Sequence, residues 1–234
     1  MRILVQKFGG TSVASSDYRQ CAVDTIRNAI TEGFQPVIVM SAMGRIGQPS
    51  APVTLIGVAR EPNQMLSRRE LDIMMACGEI ISAVVMVSTL QAAGIDAMLF
   101  TGGQAGIITD NQYGNARILR VDPVRIQEAL ANGKTPVVCG FQGVTTEGDM
   151  TTIGRGGSDT TASALGAALL AETIEIYTDV DGIMTADPRI VPSAQILDRI
   201  SYAEVSQLAH QGAKVIHPRA VEFAMQKSIP LVVK

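Results

Sequence analysis

Apolar positions along the chain follow two rhythms that take turns. Arg2–Phe8, Pro36–Ser41, Ile95–Thr101, Thr135–Cys139, Thr173–Thr178 and Ile229–Val233 read as strands: short, largely apolar and bounded by turn residues. Helical patterns lie between them. Asp17–Glu32 puts Ala22, Ile26, Ala29 and Ile30 on one face, with Gly33 as its stop. Ser67-Arg68-Arg69-Glu70 is a capping box opening a long helix towards Ala93, and Gly94 follows it. Asp122-Pro123 starts a helix that stops at Asn132-Gly133, and Asp159–Ala171 is an alanine-rich helix. Ser201-Tyr202-Ala203-Glu204 is a second capping box, and Pro218 opens the last helix. Residues 44–66, rich in Gly, Pro and Ser, read as irregular. The alternation predicts a three-layer α/β/α sandwich with a mainly parallel sheet. Such a sheet binds ligands at the carboxyl ends of its strands, and glycine-rich turns follow several of those ends here.

Composition narrows the function classes. The 234 residues are 47% hydrophobic and 18% charged, enough for a real core. The net charge of −3 lacks the basic excess of a nucleic-acid binder. No unbroken apolar run reaches the ~18 residues of a membrane span. The longest stretch, Ile80 to Leu90, is interrupted by Ser82, Ser88 and Thr89, so no membrane partner is expected. The N-terminus carries one arginine and a short strand, which is not a signal-peptide pattern. Cys21, Cys77 and Cys139 lie far apart in apolar contexts and read as reduced core residues of a cytoplasmic protein. With only His210 and His217, both read as helix-end residues, and no C-x-x-C, no zinc site is expected. Met74, Met75, Met86 and Met98 read as core filler.

Four glycine-bearing segments carry the candidate chemistry. They are Lys7-Phe8-Gly9-Gly10-Thr11-Ser12, Ser41-Ala42-Met43-Gly44, Gly154-Arg155-Gly156-Gly157-Ser158-Asp159, and Thr178-Asp179-Val180-Asp181-Gly182 running on to Ala186-Asp187-Pro188-Arg189. Each alone admits a plain reading as a turn. No Walker, Rossmann or protein-kinase signature is present. Together they supply backbone that can approach a phosphate, a helix N-terminus near Ser158, the cations Lys7, Arg155, Arg189 and Lys214, and the acids Asp179, Asp181 and Asp187. That set suits a nucleoside triphosphate beside an anionic acceptor.

KFGGTSV, SAMG, Cys77-Gly78-Glu79, GFQG at 140–143, TTIGRGGSDTTA, TDVDGIMTADPR and QGAKVIHPRA, in this order over nearly the whole chain, resemble the catalytic domain of aspartate kinases in the amino acid kinase family. The segment from Ser41 to Arg45, with the insertion after it, is similar to the diaminopimelate-sensitive type. The resemblance implies ATP-dependent phosphorylation of the β-carboxylate of L-aspartate with Mg²⁺, a first step towards lysine, threonine and methionine. It implies roles by position. Lys7, Gly9 and Gly10 would hold the transferring phosphate, with Phe8 and Ser41 beside it. Glu79 and Arg155 would bind the amino acid, with Phe141 and Ser158 close by. Asp159 would hold Lys7 and Lys214 in place. Thr178, Asp179, Met184, Asp187, Arg189 and Lys214 would line the ATP site. Residues 1 to about 150 would form the acceptor half and about 151–234 the nucleotide half. A homodimer or larger homo-oligomer is implied as well. Family members continue into ACT-type regulatory domains, and none is expected within these 234 residues.

A carboxylate acceptor is already ionised at pH 7, so no general base is required. The difficulty is bringing anion to anion, which cations and backbone donors relieve. Two departures stand out. Pro52 and Val53 occupy positions where the family carries Thr and Asp, with Ser50 and Thr54 as the nearest hydroxyls, and Met184 replaces a frequent tyrosine. Two alternatives therefore stay open: a kinase for another small carboxylate, and a non-catalytic homologue that senses nucleotide or amino acid.

Overall fold

The computed structural model describes residues 1–44, 51–62, 64–180, 182–186, 190–191, 193–210 and 216–234. Part of the insertion (45–50) and the candidates Asp181, Asp187, Arg189 and Lys214 lie outside the described residues. Six strands form an all-parallel sheet, β1 (Ile3–Phe8), β2 (Gln35–Met40), β3 (Ala97–Phe100), β6 (Thr135–Cys139), β9 (Thr173–Tyr177) and β10 (Leu231–Val233). Their order is β10-β9-β1-β2-β6-β3. The chain runs outward from β1 in one direction through β2, then returns to β9 on the other side of β1. The β1/β9 boundary is therefore the topological switch point, where open parallel sheets leave a crevice.

Strand alternation sorts the two cores. Ile3 and Val5 of β1, with Ile174 and Ile176 of β9, pack with α4 (Val124–Ala131), α5 (Gly157–Leu169) and α7 (Pro218–Gln226). Phe8, with Ile38 and Met40, packs with α1 (Ser16–Thr31) and α3 (Arg68–Ala92) on the opposite face. The three-layer sandwich is as expected. The second capping box forms in full, Ser201 and Glu204 bonding each other reciprocally, while at the first Ser67 Oγ caps the helix by accepting from Glu70 N.

Several expectations need correction. A second sheet, absent from the sequence reading, is built from β4 (Ile107–Thr109), β5 (Ile118–Val121), β7 (Gln142–Val144) and β8 (Met150–Thr152), in the order β5-β4-β7-β8. Strands of three or four residues are too short to display a period. The stretch read as irregular contains a helix, α2 (Pro52–Arg60), started by proline at its first turn. It buries none of its own residues and owes its place to packing on α3, where Pro52 lies against Gly78. In α1 the buried face is Ala22, Val23, Ile26 and Ala29, and Ile30 is exposed. Cys21 and Met98 are exposed rather than core, and Met74, Met75 and Cys77 are half-buried. Cys139 is buried, and burial pushes its thiol up to about 12. Finally, α3 is long and apolar enough to cross a membrane, although no unbroken apolar run marks it. Ala83, Met86 and Leu90 face the sheet from α3, and Asp72 and Glu79 are buried on it, which makes it the core helix of this layer.

Candidate active site

Alternation along β1 puts Lys7 on the same face as Ile3 and Val5, the face covered by α5. The lysine is 7% exposed, and its Nζ meets Asp159 Oδ1 of the first turn of α5 at 2.8 Å. An acid there also complements the positive end of that helix. At the strand end Gly9 donates its N–H to Tyr177 O at 3.0 Å, tying β1 to β9, so this donor is committed to the fold. Gly10 has a steric reason to be glycine: a Cβ there would stand 2.2 Å from Ala42 O, because the Ser41–Gly44 turn passes directly over it. Ser41 N donates to Phe8 O at 3.1 Å and starts that turn.

Two clefts open on either side of this strand end. The smaller, of about 230 Å³, is lined by Lys7, Ser41, Phe141, Arg155, Ser158 and Asp159 together with the glycines between Gly154 and Gly157. Arg155 is exposed, while Lys7 is buried beneath it. Gly156, with φ of +67°, turns the chain into α5, and a Cβ there would lie 2.3 Å from His217 Cβ. His217 caps α7 as expected. Phe141 also adopts a left-handed backbone, φ +67°, locked by Thr161 Oγ1 accepting from its N–H and by its carbonyl accepting from Ile153 N. Strain of this kind gathers where structure around a site over-determines it.

The larger cleft, of about 570 Å³, is lined by Phe8, Gly10, Thr178 and Asp179, with Tyr18, Cys21 and Lys234. The rings of Phe8 and Tyr177 stack at 4.8 Å on this side. Nearby, Glu175 accepts from Gln6 (2.9 Å) and Tyr177 OH (2.7 Å) and pairs with Lys234 Nζ (2.5 Å). Burial works against its charge, yet these partners hold the carboxylate below its ordinary value. Tyr177 and Lys234 escaped the sequence reading. Parity with Phe8 across the β1/β9 register marks Tyr177, whose Cα pairs with that of Phe8.

Glu79, 4% exposed on α3, accepts from Ala42 N at 3.3 Å through Oε1. Its Oε2 has no hydrogen-bond partner among the described residues. Burial pushes this carboxyl up to about 8, against the two backbone hydrogen bonds that oppose it. The structure thus brings Lys7, Ser41, Phe141, Arg155, Ser158 and Asp159 to one cleft and Phe8, Gly10, Thr178 and Asp179 to the other, with Glu79 reaching the Ser41 turn. Met184 lines neither and pairs with Ile196 in a short bridge.

Residues 2–234 match the amino acid kinase family. The chain belongs to that family. Among its family relatives, aspartokinase 1 of Bacillus subtilis (strain 168) is 52% identical over 234 residues, covering 100% of this chain and 58% of the relative. The crystal structure of aspartate kinase from Synechocystis superposes with a TM-score of 0.83 at 42% identity, over 99% of this chain and 38% of that one. E. coli aspartokinase III in complex with aspartate and ADP, in its R-state, superposes with a TM-score of 0.84 at 29% identity, over 99% and 61%. The amino acid kinase sandwich accounts for the parallel sheet and its switch-point clefts. The chain spans little more than half the length of the curated relatives it matches.

Proposed function

We propose that this chain transfers the γ-phosphoryl group of ATP to the β-carboxylate of L-aspartate, forming an acyl phosphate, 4-phospho-L-aspartate. The observation that carries the reading is the buried Lys7–Asp159 pair, 2.8 Å, which lines the smaller cleft beside the switch point together with exposed Arg155. Aspartate lies in the smaller cleft, its α-carboxylate on the Arg155 fork and its ammonium towards Glu79. The nucleotide enters from the Gly10, Thr178 and Asp179 side. Lys7 then holds the transferring phosphoryl between two anions that would otherwise repel, and the acceptor attacks in its ionised form without a base. Among the described residues no group of three or more His, Cys, Asp or Glu converges on a metal position. A Mg²⁺ ion would be held chiefly by phosphate oxygens, with Asp179 as a cleft carboxylate available to it. The ion supplies charge neutralisation when bound. On this reading residues 1 to about 150 mainly serve the acceptor and about 151–234 the nucleotide, with Arg155 and Ser158 crossing that line. The protein works in the cytoplasm as a homo-oligomer, on the route through diaminopimelate to lysine.

A second reading, another small carboxylate as acceptor, draws on Pro52 and Val53. Val53 is 57% exposed, and neither it nor Pro52 lines either cleft. The test is ADP release with ATP and a panel of small carboxylic acids, with hydroxylamine trapping of acyl phosphate. Aspartate is expected to lead in kcat/KM by about tenfold or more. An equal lead for another acid overturns the aspartate assignment and leaves the phosphoryl transfer standing. Absence of ADP with every acid points instead to a ligand-binding homologue.

Glu79 sets a pH dependence. Its pKa rises from 4.5 to about 8, so in the empty site it is protonated at pH 7. An incoming ammonium group requires the carboxylate, so acceptor binding releases a proton. KM for aspartate should fall as pH rises from about 6 towards 8 and level off above. The stability contribution has the same origin: the folded chain keeps a proton that the unfolded chain releases above pH 4.5, so the contribution of Glu79 declines as pH rises through that window to about 8. Glu79→Gln should flatten the KM profile. A wild-type KM that does not move with pH would remove Glu79 from acceptor binding.

A further inference from the structure

Asp72 is fully buried on α3, yet it pairs with no cation among the described residues. Its oxygens are instead saturated by three donors from other elements. Oδ2 accepts from Gly114 N (2.9 Å) and Thr152 N (2.8 Å), and Oδ1 accepts from Thr152 Oγ1 (2.8 Å). Thr152 ends β8, and the chain then runs through Ile153 and Gly154 directly to Arg155. The root of this loop is laced on its other sides too. Thr152 O accepts from Ala116 N (2.9 Å), Ile153 N donates to Phe141 O (2.8 Å), and Ile153 O accepts from Arg219 Nη1 of α7 (3.1 Å). Arg155 itself is exposed between two glycines. Among the described residues its side chain has no hydrogen bond or ion pair, so its position is inherited chiefly from the root. Asp72 also precedes Glu79 on the same helix by seven residues, two turns or about 10 Å. One rigid element thus carries both a buried acid facing the Ser41 turn and the clasp on the strand that delivers Arg155.

Resting on the aspartate kinase reading, we infer that Asp72 is a positioning residue that sets the distance between Glu79 and Arg155, and with it the fit of the acceptor. A full negative charge is used because a carboxylate accepts from three donors at once. An amide could keep its oxygen on the two backbone N–H groups only by turning its NH₂ towards Thr152 Oγ1, which would have to accept instead of donate, and all three bonds would lose their charge-assisted character. Asp72 acts on the acceptor side alone, since neither Gly10, Thr178 nor Asp179 touches it.

The test uses Asp72→Asn, Thr152→Val and Thr152→Ser in the full chain. Asp72→Asn is expected to raise KM for aspartate about tenfold while KM for ATP stays within about twofold. Thr152→Val should fall between Asp72→Asn and wild type, and Thr152→Ser, which keeps both donors, should match wild type. Amide exchange should quicken at Gly114 and from Thr152 to Gly156 and stay unchanged in β1 and β2. An unchanged aspartate KM, equal rises in both KM values, or exchange quickened evenly across the main sheet overturns the inference. If Asp72→Asn does not fold, Thr152→Val decides by the same criteria. If the wild-type chain turns over no aspartate, the functional reading is lost. The exchange pattern alone then decides whether Asp72 holds the Arg155 loop.

Discussion

Lys7→Ala is expected to collapse kcat while leaving the sandwich folded. A single charge aimed at the group being transferred is worth about 3–4 kcal/mol, a loss of roughly a hundredfold or more. The location of the lysine supports the upper part of that range. It is 7% exposed, so water cannot easily replace it, and it lines the smaller cleft at the end of β1, beside the switch point. Folding should survive because the partner left behind is not stranded. The Asp159 side chain is 17% exposed and sits in the first turn of α5, whose positive end offsets part of its charge. Lys7→Arg should not restore the rate, since a broad planar guanidinium cannot occupy the same point between β1 and α5 as a compact ammonium. Circular dichroism and thermal unfolding, run beside steady-state kinetics, separate the two effects. A folded Lys7→Ala protein that keeps most of its kcat would remove Lys7 from the mechanism.

What could be read beforehand depended on how far each signal extends along the chain. β1 was legible because a short, largely apolar run breaks abruptly into Gly9-Gly10, and the long helix α3 was legible from its Ser67 cap. The pairing of Lys7 with Asp159 spans 152 residues and has no local signature; only the resemblance suggested it. Strands β4, β7 and β8 hold three residues each, less than two periods, so the second sheet left no trace. Helix α2 hides among turn-forming residues because tertiary packing at Gly78 stabilises it. Asp72 and Glu175 resemble solvated charges in sequence, since nothing nearby announces the donors that saturate them. Buried acids of this kind become visible only when elements distant in sequence are brought together, and here each one adjoins a cleft or the loop that forms it.

Arg155→Ala should act on the other half of the reaction. Losing a bidentate contact with a carboxylate should raise KM for aspartate by an amount on the order of 2–4 kcal/mol, roughly thirtyfold to a thousandfold. The effect on kcat should be small, because this contact is made equally in the ground and transition states. KM for ATP should hardly move, as Gly10, Thr178 and Asp179 line the separate, larger cleft. Stability should also be unaffected: Arg155 is exposed and carries no ion pair among the described residues. Arg155→Lys tests the geometry of the contact. It keeps the charge and gives up the fork, so it should recover only part of the loss. Together with Lys7→Ala, the substitution yields opposite kinetic signatures from two residues that line one cleft, one in kcat and one in the acceptor KM. A rise confined to the KM for ATP would place Arg155 on the nucleotide and reverse the assignment of the two clefts. In that case the lysine at the switch point would keep its role, and the acceptor would have to be sought on the Phe8–Tyr177 side.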